Sequence, residues 1–172
     1  VSEKSANQLK GNKEIRTPIY TLPTGVDKLP KTNRYSRKSF GIPNNNIIFL
    51  SVGRVTKEKN IELIIESFGD LASKKPNSTL LIVGDSSYMP KLKKLANESI
   101  NHKNIIFTGK IDHKNLSDIY SLADVFVFAS LTDTQGLVLN EASHNGLPFV
   151  WCDKGVNAVV GQGINGILAK PN

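Results

Sequence analysis

From Asn46 onward the sequence alternates short apolar runs with segments whose apolar residues recur at helical spacing, and this alternation leaves few folds open. Ile47–Val52 is a nearly unbroken apolar run between Pro43 and Gly53, as a strand buried on both faces requires. Ile61, Ile64, Ile65, Phe68 and Leu71 then keep a helical period, with Asn60 placed as an N-cap. A strand is predicted at Thr79–Val83. Met89, Leu92 and Leu95 mark the next helix, with Lys91, Lys93 and Lys94 on its polar side. The pattern continues as a strand at Ile105–Phe107, a helix at Leu116–Ala123, a strand at Asp124–Ala129 and a helix at Leu137–Asn145. It ends with a strand at Pro148–Cys152, a helical turn at Val156–Val160 and a short strand at Ile167–Ala169. Strands separated by helices of this length form βαβ units, so the predicted fold is α/β, a doubly wound parallel sheet.

The first forty-five residues lack this rhythm. Ser2–Lys10 reads as a short helix and Ile19–Leu22 as a strand ending at Pro23. Lys28, Lys31, Arg34, Arg37 and Lys38 crowd a stretch that reads as a solvated linker, followed by a helical turn at Arg34–Phe40. Only Tyr35 and Phe40 could stack on bases there, so no nucleic-acid partner is expected. The chain begins at Val1 without a signal-peptide pattern and reads as a piece of a longer protein. Residues 1–45 are taken as an interdomain linker and 46–172 as one domain.

Composition narrows the function classes. At 172 residues the chain can bury a core without metal or disulfide. No apolar run approaches the roughly 20 residues of a membrane-spanning helix. A single cysteine, Cys152, excludes an internal disulfide. The net charge of +7 favours anionic partners without choosing among nucleotides, nucleic acids and lipid headgroups.

In a doubly wound sheet, ligands bind beyond the carboxyl ends of the strands. The stretches to interrogate are therefore 53–59, 84–88, 109–111, 130–136 and 153–155. Gly161, Gly163 and Gly166 spell G-x-G-x-x-G, but a strand and a proline follow where a dinucleotide fingerprint needs a helix, so they read as turn formers. No Walker pattern or G-x-S-x-G elbow is present. His102, His113 and His144 are scattered with no second cysteine, so no metal site is expected.

Two loops carry chemistry. Gly53-Arg54-Val55-Thr56-Lys57-Glu58-Lys59-Asn60 sets two cations, Arg54 and Lys59, in a glycine-opened loop before a helix, suited to a phosphate group. Equally open on residues alone is an Arg54 paired with a carboxylate beside a solvated Lys59. The run from Ser130 to Glu141 places Asp133 in a polar loop and Glu141 about a turn inside the following helix. Two separated carboxylates with N–H groups between them suit hydroxyls at two places on a polar ligand. The plainer readings are helix capping for Asp133 and a surface ion pair for Glu141, though capping leaves the neighbouring Thr132, Thr134 and Gln135 unexplained.

Together, Gly53-Arg54 with Lys59, Phe107-Thr108-Gly109, Ala123-Asp124-Val125-Phe126-Val127, Ser130 and Asp133-x7-Glu141 resemble retaining family 4 glycosyltransferases of the GT-B fold. Ala142, Gly146, Leu147, Pro148 and Asn165-Gly166 extend the likeness, which runs from about Ile15 to Pro171. The Thr132-Asp133-Thr134-Gln135-Gly136 run is also similar to the Thr-Glu-Thr-Gln-Gly run of bacterial diacylglycerol glucosyltransferases. The resemblance implies a Rossmann-like, C-terminal donor-binding half of a GT-B enzyme, without its N-terminal acceptor domain and closing helices. By that resemblance Gly53, Arg54 and Lys59 meet the donor diphosphate, and Ile111 presents backbone to the base. Asp133 would reach the sugar hydroxyls, Thr134, Gln135 and Gly136 line the sugar, Leu137 and Val138 approach the diphosphate, and Glu141 takes the ribose. The family usually carries Glu where Asp133 stands, so the reach is one methylene shorter, or a water bridges it.

The implied activity is retaining transfer of a sugar, glucose by the motif, from a UDP-sugar to a lipid or saccharide acceptor. No metal or other cofactor is implied, and the location is cytoplasmic, peripheral at the inner face of the cell membrane. Arg54, Lys59 and Asp133 would carry catalysis, and the isolated domain should turn over little or nothing. The rivals are a non-catalytic sugar-nucleotide module, which Asp133 favours, and a sugar-nucleotide epimerase of the same fold.

Overall fold

The computed structural model describes residues 2–12, 14–22, 24–99, 101–156 and 161–170. Six strands, β1 (Ile47–Val52), β2 (Ser78–Val83), β3 (Ile105–Gly109), β4 (Val125–Phe128), β5 (Phe149–Trp151) and β6 (Gly166–Leu168), form one sheet. They lie in the order β3-β2-β1-β4-β5-β6, and every pairing is parallel. Strand order reverses between β1 and β4, which makes the end of that seam the switch point where ligands settle in such sheets.

The two faces of the sheet follow from side-chain alternation. Leu80 and Ile82 point into a cluster with Ile61, Ile64, Ile65 and Phe68 of α2 (Ile61–Lys74) and Leu92 of α3 (Met89–Glu98). Leu81 and Val83 point the other way, into a cluster with Ile119 and Tyr120 of α4 (Leu116–Leu122) and Leu139 and Ala142 of α5 (Leu137–His144). All six residues of β2 are buried, which is why its sequence shows no polar alternation.

Helix α1 (Glu3–Lys10) forms as expected, with the Ser2 hydroxyl accepting from the Ser5 N–H at 3.1 Å. One local expectation fails. Ile19–Leu22 is not a strand: it joins no ladder, and Tyr20 and Leu22 stay largely in solvent. Asn60 does sit at the start of α2, but in the left-handed region at φ 53°, and its side chain makes no capping bond. Asparagine tolerates that region, so the residue marks the boundary by backbone rather than by side chain. The helical turn is 3-10 and confined to Arg37–Phe40. Of the expected turn at Val156–Val160, residues 157–160 lie outside the described residues. In the G-x-G-x-x-G run, Gly163 turns the chain, donating to the Gly166 carbonyl at 3.0 Å, whereas Gly166 belongs to β6.

The chain ahead of β1 is strapped to α4 by one side chain. The Asp118 carboxylate accepts from the Thr32 N–H at 2.8 Å and the Thr32 hydroxyl at 2.6 Å. It also accepts from the N–H groups of Asn33, Arg34 and Tyr35, at 3.1, 2.7 and 3.2 Å. Behind this clasp Tyr35 stacks on Phe40 with ring centroids 5.6 Å apart, and Ile42 joins the core.

At the N-terminus of α5, Gly136 has φ 60°, and a Cβ there would stand 2.9 Å from Val156 and 3.0 Å from Leu139. A Gly136→Ala protein should lose about 1–2 kcal/mol of stability, read from the urea midpoint, since left-handed backbone and a tight fit both oppose the methyl.

Candidate functional site

The loops at the carboxyl ends of β1, β2, β3 and β4 converge on the switch point. Gly53 N–H continues the ladder to the Val83 carbonyl at 3.0 Å, and Gly84 N–H to the Gly109 carbonyl at 3.0 Å. The two chains run so close that a Cβ on Gly84 would lie 1.8 Å from the Gly53 carbonyl oxygen, so only glycine fits. The Ser130 hydroxyl donates to the Glu58 carbonyl at 3.2 Å and ties the β4 loop to the β1 loop across the seam.

Two clefts result, and they share Val52, Gly53 and Arg54. One, of about 290 Å³, is completed by Lys59 and by Asp133, Thr134, Gln135, Gly136, Leu137 and Val138. The other, of about 350 Å³, is completed by Val83, Gly84, Asp85, Lys110, Ile111 and Leu116. Ten of the eleven sequence-assigned residues thus line two adjoining clefts, with Arg54 on the divide. Glu141 stands apart from these linings, on the following turn of α5.

Lys59 and Asp133 are paired with one another, each side chain about 20% exposed. Lys59 is therefore neither solvated nor reserved for an outside ligand, and Asp133 does not cap α5, whose N-cap is Gly136. Arg54 is exposed and forms no salt bridge among the described residues. The Glu58 carboxyl is held below its usual range by its own backbone N–H and by Thr56, with the charges of Arg54 and Lys59 adding to the effect. The β1 loop thus offers two exposed cations, Arg54 and Lys57, without a salt bridge among the described residues, one latched cation and a local carboxylate.

Glu141 accepts from the Tyr120 hydroxyl at 2.7 Å and faces His113 Nε2 at 3.2 Å. The ion pair of the plainer reading is present in its contact with the exposed His113, but the carboxylate itself is only 12% exposed and is also held from inside.

Sequence reasoning had singled out the Asp85 and Lys110 stretches but no role for either residue; both line the second cleft. It missed Lys4 altogether. Lys4 Nζ pairs with Asp153 and donates to the Leu131 carbonyl at 2.8 Å, so α1 braces the loops after β4 and β5. The Thr24 hydroxyl adds a bond to the Gln135 side-chain oxygen at 3.0 Å. Nothing local announces these contacts, which span more than a hundred residues of sequence. Among the described residues no three His, Cys, Asp or Glu side chains converge as metal ligands would.

An all-parallel switch-point sheet with helices on both faces and polar, cationic loops at one end defines a Rossmann-like α/β domain. The family model of the group 1 glycosyltransferases matches residues 33–172, and the chain belongs to that family. It is 34% identical over 160 residues to the alpha-monoglucosyldiacylglycerol synthase of Acholeplasma laidlawii, a match covering 88% of this chain and 40% of that protein. It is 28% identical over 145 residues to the synthase of the same name from Streptococcus pneumoniae, covering 80% and 33%. The pneumococcal O-GlcNAc transferase GtfA, solved with UDP and GlcNAc, matches the fold at TM-score 0.76 and 26% identity, over 99% of this chain and 32% of that one. The chain thus spans about a third to two-fifths of these relatives' length.

Proposed function

We propose that this chain is the donor-binding domain of a retaining hexosyltransferase that takes glucose from UDP-glucose to a lipid or saccharide acceptor. The observation that carries the reading is the pair of adjoining clefts meeting at Arg54, one with Val52, Val83, Ile111 and Leu116 in its wall and Asp85 and Lys110 beside them, the other lined by Lys59, Asp133 and the 134–138 loop. A nucleotide sugar has that division: a flat base at one end, a polar sugar at the other, and a diphosphate between. The base would lie against Ile111 and the sugar against Asp133, Thr134, Gln135 and Gly136. The diphosphate would sit between Gly53, Arg54, Lys59 and the start of α5 at Leu137 and Val138. UDP and a hexosamine occupy the pneumococcal GtfA structure, and the glucolipid synthases support glucose and a lipid.

As the anomeric bond breaks, the leaving diphosphate gains charge. The Arg54 guanidinium is free to meet it, and Lys59 becomes available once Asp133 turns to the sugar hydroxyls. Preorganised charge of this kind stabilises a transition state without needing a metal. The family resemblance favours front-face displacement with retention, the diphosphate assisting acceptor deprotonation, and on that route Asp133 holds the sugar hydroxyls rather than attacking the anomeric carbon. Acceptor groups would come from the part of the protein outside residues 46–172, so this chain alone should turn over little or nothing. No described helix is long and apolar enough to cross a membrane. A peripheral station at the inner face of the cell membrane fits a lipid acceptor, with Lys93 and Lys94 of α3 exposed to it.

Calorimetric titration with UDP-glucose, UDP, GDP-mannose and ADP-glucose, with and without magnesium, tests the reading. Metal-independent binding of the uridine pair alone is expected, weakened about tenfold or more in Arg54→Ala, as loss of a charge-assisted phosphate contact predicts. Binding of none of the four, or an Arg54→Ala protein that binds as well as the parent, would refute it.

A further inference from the structure

Glu141 carries more than a surface carboxylate needs. Its Oε2 is held from inside by Tyr120, whose side chain is 1% exposed and packs on Phe126 with ring centroids 5.9 Å apart. Its Oε1 is met from outside by His113, whose side chain is 64% exposed. A carboxylate only accepts, so both neighbours donate, one to each oxygen. Burial, then the charge and hydrogen bond of Glu141, push the Tyr120 hydroxyl far above its ordinary range, so it remains a donor at any working pH. His113 comes two positions after Ile111 and opens the turn that leads into α4, beside the cleft that Ile111 and Leu116 line. The inner partner is thus fixed by the core and the outer one is exchangeable.

We infer that Tyr120 is a positioning residue that holds Glu141 toward the ribose diol of the donor nucleotide, and that His113 is the group the diol displaces. The inference rests on the donor-domain reading and assigns two residues that reading leaves idle. Tyr120 lies too deep to touch the ligand, so it acts only through Glu141. His113 closes the carboxylate while the site is empty, which spares a nearly buried charge from standing unpaired.

The test is titration of the 172-residue chain, its Tyr120→Phe form and its His113→Ala form with UDP and with 2′-deoxyuridine 5′-diphosphate. The parent should favour UDP by about tenfold or more, the worth of a hydrogen bond to a charged group. In Tyr120→Phe that preference should shrink to about threefold or less, with affinity for the deoxy nucleotide unchanged; in His113→Ala, UDP alone should bind about two- to threefold tighter. A Tyr120→Phe protein that loses affinity for both nucleotides equally has lost only packing, and one with an unchanged preference has lost nothing; either result overturns the assignment. Should Tyr120→Phe fail to fold by circular dichroism, His113→Ala decides, because its exposed ring supports no core, and unchanged UDP affinity there overturns the inference. A parent that binds both nucleotides equally overturns this inference and leaves the donor reading standing. A folded parent that binds neither overturns both.

Discussion

A Lys59→Ala protein is expected to lose about a hundredfold in affinity for UDP while melting close to the parent, and an Asp133→Ala protein should move the other way. The two side chains are paired in the unliganded protein, and each is mostly screened from solvent. On the donor-domain proposal, the diphosphate would have to compete with Asp133 for the lysine. Removing the lysine forfeits a charge-assisted contact of about 2–3 kcal/mol. Removing the aspartate frees the lysine beforehand, so UDP without its sugar should bind about three- to tenfold tighter, a gain near 1 kcal/mol for a pair still partly in water. Transfer from UDP-glucose in the full-length enzyme should nonetheless collapse in both proteins, since one lacks charge at the leaving group and the other lacks a partner for the sugar. Calorimetry and initial rates measured side by side check the crossed pattern. Equal effects of the two substitutions on UDP binding would refute the competition.

The second expectation concerns stability. Asp118→Ala should cost about 3 kcal/mol or more, because four backbone N–H groups and the Thr32 hydroxyl lose one shared acceptor. Asp118→Asn, which keeps one good acceptor oxygen, should cost roughly half as much. Burial alone would raise the Asp118 carboxyl, but the bonds from Thr32, Arg34 and Tyr35 outweigh it and hold the group far below the usual carboxylate range. The sign of the pH dependence follows. The unfolded chain takes up the proton near the ordinary value of about 3.9 while the folded chain resists, so the stabilisation is complete above that pH and drains away below it. Urea midpoints between about pH 5 and pH 2 should fall more steeply for the parent than for Asp118→Asn, whose site does not titrate. Parallel slopes would contradict the assignment.

These two cases also mark where sequence reading succeeds and where it stops. Strand β1 was legible residue for residue because a mostly buried parallel strand reads as an apolar run, and its six-residue length between Pro43 and Gly53 favours a strand over a helix. The phosphate-type loop was legible because glycine, two cations and a helix start are a local pattern. The Lys59–Asp133 pair was not, although both residues had been singled out, because seventy-four positions separate them and only the closed seam brings them together. Asp118 and Tyr120 share a helix that reads as an ordinary amphipathic turn. Their partners, the 32–35 segment and Glu141, are supplied by topology. The expected strand at Ile19–Leu22 failed for the complementary reason: local propensity was present, but the segment pairs with no strand and leaves Tyr20 and Leu22 in solvent.

The reversal of strand order at β1 has a consequence for how the molecule assembles. β1 meets β2 from Ile47 to Ser78, thirty-one positions along the chain, but meets β4 only from Phe49 to Val125, seventy-six positions along. Closing the longer loop costs about 0.8 kcal/mol more in chain entropy, and it must be spent before any contact across the seam repays it. The β1–β2–β3 half can gather first around its own helices, and the other half docks onto it afterwards. The clefts lie along that seam, so the residues around them are expected to be completed last and to loosen first. Substitutions in the 130–138 loop should accordingly register as faster unfolding rather than slower folding, and a bound nucleotide should act as a brake on unfolding.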